Sequence, residues 1–313
     1  MKVLFVSSGN TFTGISPIVT RQGNSLEREG IKIYFFKIRG KGLKGYLSNI
    51  QPLKKSIKKF KPDIIHAHYS LSGVIASLAG ASPLIVSLMG SDVKASSLFK
   101  CLILFFSRFL WSQTIVKSEN MQRSLGLKTI FVIPNGIDQT EFNLIDETIA
   151  RYKLGWDISK KHILFAANPT RPEKNFKLAQ EAVKFINENI VLHTLSNINP
   201  NDIPIWLNAS DVVILSSMRE GSPNVIKEAM SCSKPIVATD VGDIKWLFGN
   251  KPGHYLSSFD SDEMAQKIQL ALQFSLQKGN TKGRERIMEL GLDAKSVAQR
   301  LIKVYTETLK KHA

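Results

Sequence analysis

The chain has 313 residues, of which 43% are apolar and 22% charged; this excludes a disordered or low-complexity protein and allows two domains of ordinary size. Its formal charge is +16, and residues 1–145 hold most of it, with 19 Lys and Arg against 7 Asp and Glu, compared with 23 against 19 in residues 146–313. That asymmetry suits a partner rich in phosphate or carboxylate, or simply a basic soluble protein, while two cysteines, Cys101 and Cys232, are too few for a disulfide framework and lack metal-ligand spacing.

The first run, KVLFVSS (2–8), is too short for a signal-peptide core and leads straight into a polar loop, so a first buried strand in a reducing, cytoplasmic setting is expected. KIYFFKI (32–38), DIIHAH (63–68), PLIVSLM (83–89), QTIVKS (113–118) and TIFVIPN (129–135) follow in the first half. HILFAAN (162–168), VLHTLS (191–196), VVILSS (212–217), PIVATD (235–240) and HYLSS (254–258) make up the second. These runs are apolar throughout instead of alternating, the pattern of strands buried on both faces of a parallel sheet, and helical patterns separate them. The reading is α/β, doubly wound, with a first domain at 1–145, a second at 146–295 and a terminal helix at 296–313. That helix repeats Val297, Leu301, Val304, Tyr305 and Leu309 at helical spacing, and packing back onto the first domain is one placement for it. Two such domains imply a central cleft, with ligands at the carboxyl ends of the strands. LFKCLILFFSRFLW (98–111), broken by Lys100 and Arg108, falls short of the ~18–20 apolar residues of a spanning helix. It reads as a buried helix or, with KKSIKKFK (54–61), as a segment lying on an anionic membrane surface.

REGSPNVIKEAMSC (219–232) sets Glu220 and Glu228 on either side of an expected helix start. Ser222 suits the N-cap and Pro223 the first helical position. The amides of Ser222, Asn224 and Val225, at the positive end of the helix dipole, would form a backbone anion site, and Gly221 would let the main chain approach a ligand. Carboxylates flanking an anion suit a ligand ordered as hydroxyls, phosphates and hydroxyls. The plainer alternative is a surface salt bridge at Glu228 and a loop charge at Glu220.

REGSPNVIKEAMSCSKPIVATDVGDI resembles the signature region of retaining glycosyltransferase family 4, the glycosyl transferases group 1, with Ser233 where glycine is usual. GNTFTGISPIVTRQGNSLEREGIKI, DIIHAHY, PLIVSLMGSDV, FVIPNGIDQTEF, RPEKN and NASDVVILSS resemble family segments in the same order, so the likeness runs over nearly the whole chain. It implies the GT-B fold and a retaining, hexosyl-type transferase using a UDP- or GDP-linked sugar, with no cofactor, no metal and no nucleic acid. The acceptor would be a cell-envelope glycan, a lipid-linked or other anionic molecule, or a small molecule, met in the cytoplasm or on the inner face of the membrane. The resemblance implies that Glu220 contacts the donor sugar, Glu228 the ribose, and the Gly221–Ser222–Pro223–Asn224–Val225 backbone the sugar and phosphate. Gly14, where the family has a glycine pair, joins the donor set, and Lys174 holds the diphosphate. The family arginine would fall near Pro169, which leaves Arg171 as the second cation. Met89 stands where many relatives have a strand-end histidine, so Asp92, Ser91 and His68 are the polar candidates on the acceptor side. For His66 and His68 a structural role at the strand end is the alternative. Two other activities stay open here: a GT-B nucleotide-sugar epimerase, and a non-catalytic basic scaffold binding membrane or nucleic acid.

Overall fold

Strands without polar alternation need both faces covered, and each of the apolar runs holds a parallel strand in a sheet that is covered on both sides. The computed structural model describes residues 1–11, 14–90, 97–126, 130–186 and 189–312. The chain divides into two units, Met1–Gly136 with Ala294–Ala313, and Ile137–Asp293.

The first unit runs β1 (Lys2–Ser8), α1 (Pro17–Arg28), β2 (Lys32–Ile38), α2 (Gly42–Leu47), α3 (Ile50–Phe60), β3 (Ile64–His68), α4 (Ser70–Leu78), β4 (Leu84–Ser87), α5 (Ser97–Phe109), β5 (Gln113–Val116), α6 (Glu119–Leu125) and β6 (Phe131–Val132). Its sheet order is β2-β1-β3-β4-β5-β6, so the order reverses between β1 and β3. One face carries α3 to α6, through Leu53, Ile75, Ile103, Phe106 and Met121. The other is covered by α1, through Val19 and Leu26, and by residues of the final helix.

The second unit runs α7 (Glu147–Leu154), β7 (Lys161–Phe165), α8 (Phe176–Lys184), β8 (Ile190–Thr194), α9 (Ile203–Ala209), β9 (Val212–Leu215), α10 (Asn224–Ser231), β10 (Ile236–Thr239), α11 (Ile244–Phe248), β11 (His254–Ser257), α12 (Ser261–Lys278) and α13 (Gly283–Glu289). The order β11-β10-β9-β7-β8 reverses between β7 and β9. In open sheets of this kind, ligands sit at such reversals, beyond the carboxyl ends of the strands.

The last helix, α14 (Ala294–His312), belongs to the first unit: Val297, Ala298, Leu301, Val304 and Tyr305 are buried in the core that holds Val3, Phe5 and Ile64. The unit boundaries fall at 136/137 and 293/294, earlier than the 145/146 and 295/296 expected from turn signals. The reason is packing. Ile137 and Phe142 enter the second core, and Arg284 donates to the carbonyls of Gln139 and Phe142.

Candidate active site

Two loops leave the reversal of the second sheet. After β7 the chain enters a 3-10 turn, Pro172–Lys174, closed by Asn175 in the left-handed region at φ 52. After β9 it passes through Ser216 and Ser217 towards α10. The loops are laced together. Ser216 Oγ donates to the carbonyls of Lys174 (3.1 Å) and Asn175 (2.8 Å), and the Met218 amide donates to the Glu173 carbonyl at 2.9 Å. This brings Lys174 Nζ to 2.5 Å from Glu220 Oε1, which also accepts from Ser217 Oγ at 2.7 Å. Both side chains of the ion pair are about seven-eighths hidden from solvent, so removing one partner would strand the other charge.

The second loop runs into α10. Its helical residues begin at Asn224 with Pro223 as N-cap, one residue later than the Ser222 cap expected from sequence. No side chain caps this end, since proline has none to offer and Ser222 lies outside the capping position. The first-turn amides and the dipole therefore face the loop. Glu228, the fifth residue of the helix, is buried, which sets aside the surface salt bridge. Gly221 has no left-handed backbone; the close approach is made by Gly242 after β10, at φ +68. A Cβ on Gly242 would lie 2.6 Å from the Gly221 carbonyl oxygen.

That turn carries a residue the sequence reading missed. Asp243 has both carboxylate oxygens buried with no hydrogen-bond partner, and the Ser222 hydroxyl stands beside it without completing a normal bond. Burial pushes its pKa up to about 6; the Ser222 hydroxyl and buried Lys227 work against the rise, and Glu220 adds to it. Asp243 lies within the motif stretch VATDVGDI, but nothing local marks it as buried. Arg171 is placed differently from Lys174: its guanidinium bonds Glu173 Oε1 at 2.9 and 2.5 Å and its side chain is 57% exposed. A cavity of the unit, about 480 Å³, is lined by Glu147, Lys161, Asp211 and Lys234, at the opposite, amino ends of the strands.

The arrangement is a helix start without a side-chain cap beside a cation–carboxylate pair at a sheet reversal. The family described as "Glycosyl transferases group 1" matches residues 160–273, and "Glycosyl transferase 4-like" matches residues 15–112. The chain belongs to the group 1 glycosyltransferases. It is 26% identical over 284 residues to TuaC of Bacillus subtilis, named as a teichuronic acid biosynthesis glycosyltransferase, covering 77% of this chain and 71% of that protein. It is 25% identical over 252 residues to an Escherichia coli enzyme named UDP-Gal:alpha-D-GlcNAc-diphosphoundecaprenol alpha-1,3-galactosyltransferase, covering 66% of this chain and 65% of the relative. Sucrose-phosphate synthase from Thermosynechococcus elongatus superposes with a TM-score of 0.80 at 16% identity, over 99% of this chain and 100% of that one, which establishes the GT-B fold.

In this glycosyltransferase the acceptor-side candidates lie in the first unit. Gly14, expected among the donor residues, sits here in the loop after β1 at φ +83, where its amide donates to the Thr11 carbonyl. His68 ends β3, so Gly14 and His68 flank the reversal of the first sheet. His68 is buried, edge-on to Phe5 and stacked on His66, and its Nε2 has no hydrogen-bond partner. Burial holds it well below the usual histidine range, with His66 and Lys117 adding to the effect. His66 is structural: Nδ1 meets the Tyr305 hydroxyl at 2.6 Å and Nε2 meets Ser87 Oγ at 2.9 Å. Met89 lies two residues beyond β4. Ser91 and Asp92 lie outside the described residues.

Proposed function

We propose that this glycosyltransferase moves a hexosyl group from a UDP-linked sugar to a lipid-linked or cell-envelope acceptor, with retention at the anomeric carbon. The observation that carries the reading is the Lys174–Glu220 pair between the ends of β7 and β9, beside the start of α10. The names of the two relatives, one for UDP-galactose and a diphosphoundecaprenol-linked sugar and one for teichuronic acid biosynthesis, support the donor and acceptor classes.

In this reading the first-turn amides of α10 and Lys174 hold the diphosphate. Glu220 holds the sugar hydroxyls, Glu228 the ribose, and Arg171 is the second cation, swinging from Glu173 to the diphosphate. The bond from the anomeric carbon to the phosphate oxygen breaks, the bond to the acceptor oxygen forms on the same face, and the departing phosphate takes the acceptor proton. Charge builds on the diphosphate as it leaves, so fixed cations and amides favour the transition state over the ground state. No metal enters the scheme, because Lys174 and the helix start supply the positive charge.

A thermal-shift screen of UDP, GDP, ADP, CMP and their sugars tests the donor, with UDP-sugars expected to raise the melting temperature most. Transfer to a polyprenyl-diphosphate sugar, with the product linkage read by NMR, tests acceptor and stereochemistry. Glu220→Gln and Lys174→Ala should each lower turnover by about 100-fold or more. Normal turnover in either variant, or in Arg171→Ala, removes that residue from the site. An inverted linkage overturns retention, isomerised donor in the absence of acceptor identifies an epimerase, and no nucleotide binding at all identifies a scaffold.

A further inference from the structure

Helix α5 buries Ile103 and Phe106 in the core of the first unit, yet its outward residues are also largely apolar. Cys101, Leu102, Phe105, Arg108 and Phe109 recur at helical spacing and are exposed, Phe105 by 54% and Phe109 by 65%, with exposed Leu110 just beyond. A surface helix ordinarily turns polar residues outward. An exposed apolar stripe on a surface helix marks a contact face. No helix among the described residues is long and apolar enough to cross a membrane.

The neighbouring helices supply charge of one sign. Leu53 of α3, Ile75 of α4 and Ile103 of α5 share one core, so these helices lie on the same face of the sheet. α3 presents Lys54, Lys55, Lys58 and Lys59 as an exposed stripe, α2 adds Lys44, and Leu47 and Leu78 are exposed among them. α2, α3, α4 and α5 contain no aspartate or glutamate. From Gly30 to Ser118 the only acids are Asp63, which accepts the Lys2 amide, and Asp92.

We propose that the α2–α5 face docks this protein on an anionic lipid bilayer, with Leu102, Phe105 and Phe109 entering the interface and the α3 lysines lying over the headgroups. Apolar rings and acid-free cations on helices of one sheet face are the two terms from which interfacial binding is built. A second copy is disfavoured as occupant, because the same face on two chains would set like charges against each other.

Flotation of the full chain with phosphatidylcholine vesicles, with and without about one third phosphatidylglycerol, tests the proposal in about 50 mM and about 500 mM salt. Binding is expected only to the anionic vesicles, and about tenfold weaker or more at the higher salt. The double variant Phe105→Asp with Phe109→Asp should abolish binding. The quadruple variant Lys54→Gln, Lys55→Gln, Lys58→Gln, Lys59→Gln should weaken it by about tenfold or more. These side chains are exposed, so melting temperature and nucleotide-induced shifts should be unchanged. The proposal is overturned by absence of binding to anionic vesicles at low salt, or by undiminished binding in both variants. It is also overturned by a concentration-dependent dimer that the phenylalanine variant dissolves and vesicles do not. Neither donor nor acceptor is present in the assay, so its failure leaves the transfer reading standing.

Discussion

At the reversal of the second sheet two carboxylates sit in different surroundings. Glu220 is paired with Lys174 and held by Ser217, whereas Asp243 is half-buried, with both carboxylate oxygens hidden and without a hydrogen-bond partner. Its folded pKa of about 6 lies above the ordinary 3.8, so the native chain binds that proton more tightly than the unfolded chain does. Stability from this group is therefore present at low pH, falls as pH rises from 3.8 to about 6, and is level above that. Asp243→Asn should remove the fall and leave the protein on the order of 2 kcal/mol more stable at pH 7. Thermal melts of both proteins across pH 4 to 7 check this; identical curves would show that Asp243 is hydrated. Glu220 and Lys174 were legible in the sequence because both stand in motif segments. Asp243 was not, because its burial comes from the folding of the turn around it and leaves no mark in residue type or spacing.

The loops and helix starts are where local signals and packing diverge. A Ser-Pro pair ahead of a helical pattern argues for serine at the N-cap, yet Pro223 takes that place and α10 begins at Asn224. Gly221, the glycine of the motif, has an ordinary backbone, while Gly242 in another loop carries the left-handed turn and the tight contact. Gly242→Ala puts a methyl group against the Gly221 carbonyl in a conformation that side chains resist, so it should cost on the order of 2 kcal/mol and displace the loop bearing Glu220. A lower melting temperature together with weaker nucleotide binding is expected. A variant that melts lower but binds nucleotide normally would show that the two loops are not coupled. The strands themselves needed no such correction: continuous Val, Ile, Leu and Phe runs can be buried only on both faces, and that requirement acts locally.

For the whole molecule, the chain leaves the first unit after Gly136 and returns to it at Ala294. The first unit thus depends on a helix that follows the second unit in sequence, whose Tyr305 hydroxyl meets His66 at 2.6 Å across 239 residues. Deleting residues 294–313 uncovers part of one face of the first sheet, leaving α1 alone on it, and should unfold that unit while the second keeps its own core. Calorimetry should then show loss of one transition, with nucleotide binding retained because the proposed contacts, Lys174, Glu220, Glu228 and α10, all lie in Ile137–Asp293. Loss of nucleotide binding on deletion would contradict that assignment.

The sequence by itself determined the α/β class, the parallel strands and the order of the motif segments, because periodicity and turn chemistry are properties of neighbouring residues. The helical spacing of Val297, Leu301, Val304 and Tyr305 likewise announced a terminal helix with one apolar side. Only the tertiary structure decided which groups meet. Lys174 and Glu220 are 46 residues apart and come together because β7 lies beside β9. Arg171, three residues before Lys174, turns to Glu173, and the carboxylate oxygens of Asp243 are hidden beside Ser222. Those outcomes depend on strand order and on what packs over each loop, and a local pattern of residues carries neither.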